Sequence, residues 1–105
     1  MSFVKILDVN VQFLKAATGK DFMDEVSRDI ERKLDHIGDT PGSSYSRLDI
    51  VQLIGSIEAA KFRYLQGTIT AKQLYRDVAV QLDRFKMQHP GFDYLNDSVL
   101  NTYFS

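Results

Sequence analysis

Most apolar positions in the chain recur at intervals of three and four residues, and the main exception comes early. LDVNVQF, residues 7–13, alternates apolar and polar side chains. Taken alone it fits a β-strand with Leu7, Val9, Val11 and Phe13 on one face. The window 2–17 fits a helix better. Lys5, Asp8, Gln12 and Lys15 gather on one side of a helical wheel, and Phe3, Val4, Ile6, Leu7, Val11, Phe13, Leu14 and Ala17 cover the other, with Gly19 as a stop. A helix over 2–17 is therefore expected. It leaves Asn10 within the apolar half, either to fix register inside a bundle or to meet another molecule.

The clearest helix is expected over 21–37, where Phe22, Val26, Ile30, Leu34 and Ile37 repeat at helical spacing and Gly38 can end the run. Asp21, Asp24 and Glu25 suit the start of the helix dipole, and Asp24–Arg28 and Asp29–Lys33 are i,i+4 pairs. Residues 38–46 read as a loop. Ser46 and Asp49 then resemble a capping box, which predicts a helix over 47–66 with Gly67 as its stop. Apolar side chains surround most of that helix, and only the sector with Asp49, Gln52, Ser56 and Arg63 is consistently polar. Such a helix belongs at the centre of a bundle, or else one of its sides is covered by a partner. Within its apolar arc, Glu58 and Lys61 stand at i,i+3, expected as an internal pair or as a partner contact.

Thr70 and Gln73 form a second capping box, predicting a helix over 71–88 with Leu74, Tyr75, Val78, Leu82 and Phe85 on its inner stripe and His89-Pro90-Gly91 as its stop. In the tail, Leu95, Val99 and Tyr103 are spaced for a short final helix. The expected architecture is all-α: one domain over 1–105, built as a small bundle of four main helices (about 2–17, 21–37, 47–66 and 71–88) plus a short C-terminal helix.

Composition narrows the chemistry. With 105 residues, 44% hydrophobic and 26% charged, the chain is an ordinary globular sequence that can bury a core. It has no cysteine, so thiolate metal sites and cysteine nucleophiles are ruled out. The formal net charge of -1 lacks the basic excess of a duplex-DNA binder. The start has no basic and long apolar stretch of a signal peptide, and no run reaches the ~20 apolar residues of a membrane span. A cytoplasmic protein is expected, without membrane attachment. Asn96-Asp97-Ser98 matches a glycosylation triplet by chance on this reading.

The sequence assembles no catalytic motif. Its two histidines, His36 and His89, stand near predicted helix ends, and neither HxxxH nor HExxH spacing occurs. The common phosphate-binding glycine loops and the GxSxG turn are absent too. No metal and no cofactor are expected, and the protein is read as a non-enzyme.

GTITAKQL, residues 67–74, resembles the second half of an EF-hand calcium loop. With Gly67 on the invariant glycine, however, the ligand positions hold Phe62, Tyr64, Gln66 and Gln73, which leaves no carboxylate. KFRYLQGTITAKQLYRD, residues 61–77, is similar to a helix–turn–helix piece of some colicin-type immunity proteins, which are small inhibitors that bind a toxin. The resemblance covers that segment alone.

Three features point to a protein partner. On the outer side of the helix over 71–88, Val80 and Met87 lie near Arg76 and Arg84, a common interface composition. Glu58 and Lys61 interrupt an apolar arc. The tail carries Phe92, Tyr94, Tyr103 and Phe104, aromatics that either dock on the bundle or supply interface energy. The candidate partner-binding residues are thus Asn10, Arg76, Val80, Arg84, Met87, Tyr94, Tyr103 and Phe104. The expected function is a protein–protein interaction module, a small inhibitor or regulator. One alternative is a self-assembling homo-oligomeric subunit. Another is a nucleic-acid-associated regulator using Lys72, Gln73, Arg76 and Arg84, a face on which Asp77 and Asp83 oppose phosphate.

Overall fold

The structure, a computed structural model, describes residues 3–7, 22–37 and 45–104. Every regular element among them is a helix: α1 (Phe3–Leu7), α2 (Phe22–Ile37), α3 (Arg47–Leu65), α4 (Ala71–Gln88) and α5 (Ser98–Tyr103). Only α2, α3 and α4 are long. The expected helix over 2–17 is described only as α1, and LDVNVQF beyond Leu7, Asn10 included, lies outside the described residues.

The helix boundaries follow local chemistry. Ser46 accepts from the Asp49 amide at 3.2 Å, and the Asp49 carboxylate accepts from the Ser46 amide at 3.1 Å. Thr70 and Gln73 repeat the exchange at 3.2 and 2.8 Å. Each box satisfies amides at a helix start that have no partner within the helix. Between the two helices, the Gly67 amide donates to the Tyr64 carbonyl and the Thr68 amide to the Arg63 carbonyl, the paired bonds of a Schellman stop. The stop needs a left-handed residue, and Gly67 supplies it with φ +76.

α3 packs against both α2 and α4, and α5 packs on α2. Ile50, Leu53, Ile54, Ile57 and Ala60 of α3 meet Ile30 and Leu34 of α2 and Leu74, Val78, Leu82 and Phe85 of α4 in one core. Ile6 of α1 joins it, as do Phe92, Val99, Leu100 and Tyr103 near the C-terminus. The broad apolar circumference of α3 is thus explained by its two long neighbours.

Two expected inner residues lie elsewhere. Tyr75 is exposed, because it sits at the margin of the α4 stripe, about 100° around the helix from Leu74. Leu95 is exposed because α5 begins only at Ser98. Ahead of it, the Asp93 carboxylate accepts from the Leu95 amide at 3.1 Å and the Asn96 side-chain amide at 2.6 Å, making a turn.

Candidate functional site

The outer face of α4 is set by the residues that α4 buries. With Leu74, Val78, Leu82 and Phe85 turned to the core, helical geometry sends Arg76, Val80, Arg84 and Met87 outward. All four are exposed, Val80 at 39% and Met87 at 81% of their surface. Neither Arg76 nor Arg84 forms a salt bridge among the described residues. An apolar pair and two uncommitted guanidiniums therefore share one rigid helical surface, interspersed with Asp77 and Asp83.

The C-terminal aromatics sit differently. Tyr103 is only 7% exposed, and its hydroxyl points to the Asp29 carboxylate of α2 at 3.5 Å. Burial raises its pKa above the ordinary tyrosine range, reinforced by the negative charges of Glu58 and Asp29 and by the bond to Asp29. Phe104 is half-buried, stacks edge-on to Tyr103 with centroids 4.8 Å apart, and lies under the Lys61 ammonium at 4.5 Å. Tyr94 is half-buried against the core. The tail is thus docked on its own bundle. Tyr103 is a core residue, and Tyr94 and Phe104 offer only part of their surface.

A second aromatic group surrounds the C-terminal end of α4. Tyr45, Phe85, His89 and Phe92 meet at centroid distances of 4.6–6.1 Å. The Tyr45 hydroxyl donates to Asp97, whose other oxygen caps α5 by accepting from the Leu100 amide at 3.1 Å. His89 Nε2 lies 3.6 Å from the Asp49 carboxylate. The Ser46 hydrogen bonds, assisted by His89, hold that carboxyl below its usual range.

Beside this end, α3 and α4 leave an open groove of about 290 Å³. Asp49, Gln52, Leu53 and Ser56 line it from α3, and Gln81, Arg84, Phe85 and Gln88 from α4. Three of the four positions in the polar sector of α3 lie here. In the sequence that sector shows only as the consistently polar side of the helix. The groove was missed because it exists only where α4 lies alongside.

Among the described residues, no group of three or more His, Asp or Glu is placed to hold a metal ion, and no helix is long and apolar enough to cross a membrane. In comparisons with known proteins, no family model, no curated protein and no solved structure matches the chain.

Proposed function

We propose that this protein is a non-enzymatic protein–protein interaction module, a small inhibitor or regulator, that meets its partner through the outer face of α4. One observation carries the reading. Met87 and Val80 are exposed beside Arg76 and Arg84, and neither arginine has an opposite charge among the described residues. Methionine and arginine are enriched at interfaces, where an adaptable apolar side chain seals against the partner and a guanidinium gives direction. The face is also rigid, since four buried side chains fix α4 to the bundle.

The alternatives draw less support. Self-assembly through the tail would need aromatic anchors that are already largely spent inside the bundle. Nucleic-acid binding by Lys72, Arg76 and Arg84 would set phosphates beside Asp77 and Asp83. The test is partner capture by the wild-type chain and by the double variant Val80→Asp/Met87→Asp. The variant is expected to fold and to lose its partner.

A further inference from the structure

The groove between α3 and α4 adjoins the proposed binding face and shares Arg84 with it. Its chemistry is more specific than that of the face. Leu53 and Phe85 contribute buried apolar surface, while Gln52, Gln81 and Gln88 bring three carboxamides to one short channel. A primary carboxamide offers a donor and an acceptor together, the complement of a peptide group. Those three side chains make no hydrogen bond among the described residues, so their capacity is open to a ligand.

The other polar groups of the groove are already engaged. The Ser56 hydroxyl donates to the Gln52 carbonyl at 2.9 Å. Asp49 accepts from the Ser46 amide and faces His89. That leaves Arg84 as a groove charge with no counter-ion among the described residues. A guanidinium presents a planar fork that matches a carboxylate in a bidentate pair.

We infer that this groove binds a short extended peptide segment carrying an acidic side chain. Arg84 takes the carboxylate, and Gln52, Gln81 and Gln88 take the peptide backbone. A volume of about 290 Å³ suits a few residues and not a folded surface. Nucleic acid fits poorly, because its repeating phosphates would meet a single groove cation beside Asp49. The inference rests on the protein-binding reading and names the chemistry of the partner.

A random peptide library selected on the immobilised full chain tests it. Retained peptides should be enriched in Asp or Glu, and a synthetic copy of the most enriched one should shift the side-chain amide NMR signals of Gln52, Gln81 and Gln88. Arg84→Gln should weaken that peptide roughly tenfold, as loss of a charge-assisted pair does. Gln81→Glu, which adds a carboxylate inside the groove, should weaken it at least as much, and Lys72→Gln, exposed at the far end of α4 and outside the groove lining, should leave it unchanged. Peptides without acidic enrichment, no retained peptide, or affinity unaltered by Arg84→Gln would overturn the groove assignment. If peptide binding is lost in Met87→Asp but survives Gln81→Glu, the groove assignment is wrong and the protein-binding face stands. If peptides bind as expected but the double variant Val80→Asp/Met87→Asp still captures a partner fully, the outer-face reading fails instead.

Discussion

Lys61 is 1% exposed, and its ammonium is held by Glu58 at 3.0 Å and by the face of the Phe104 ring at 4.5 Å. Burying both charges is costly, and the pair persists because each desolvated ion has the other close by. Removing one partner strands the other. Lys61→Met is therefore expected to lower the unfolding free energy by ~3–5 kcal/mol in a denaturant titration, while Glu58→Leu/Lys61→Met recovers most of that loss. The i,i+3 spacing was legible in the sequence. The burial was not, because it depends on a C-terminal aromatic arriving from forty-three residues away.

Tyr103 makes a pH prediction at the same scale. Its folded pKa is raised, chiefly by burial, so the stability it contributes is complete below the unfolded tyrosine value of about 10 and is lost as pH rises past it. Tyr103→Phe should show a shallower alkaline fall in stability than the wild type, measured by thermal melts at pH values from about 8 to 11. At neutral pH the substitution should cost less than about 1 kcal/mol, because the bond to Asp29 is long at 3.5 Å.

At the level of elements, the helix starts and stops were the most legible part of the chain. Ser46–Asp49 and Thr70–Gln73 are local signals, complete within four residues, and both capping boxes form as the spacing predicts. Ser46→Ala and Thr70→Ala should each cost about 1 kcal/mol of stability in chemical denaturation. Gly67→Ala should cost a similar amount for the left-handed backbone at φ +76, although nothing lies within 4 Å to block a Cβ. The start of α5 was less legible. Asp97 caps it and also receives the Tyr45 hydroxyl, and that second role is a contact across the fold that no local pattern encodes.

For the whole molecule, the apolar circumference of the segment after Ser46 correctly indicated a central helix, since α3 lies against both α2 and α4. The polar sector of the same helix concealed the groove. Asp49, Gln52 and Ser56 look like solvated surface until Gln81, Arg84 and Gln88 face them across it. Val80 and Met87 could be placed on an outer face from periodicity alone, because the buried stripe of α4 fixes where the remaining positions point. Tyr103 could not be assigned to core or surface that way, since an aromatic tail suits either.

The most direct test of the central claim is quantitative capture of interacting proteins from the native cell extract, with the wild-type chain and the Val80→Asp/Met87→Asp variant in parallel. Both positions are exposed, so the variant should melt within a few degrees of the wild type. The outer face of α4 predicts a saturable partner on the wild-type chain and at least a tenfold loss on the variant, as two charges are forced into an apolar contact. Equal capture of the same partner by both chains would contradict it.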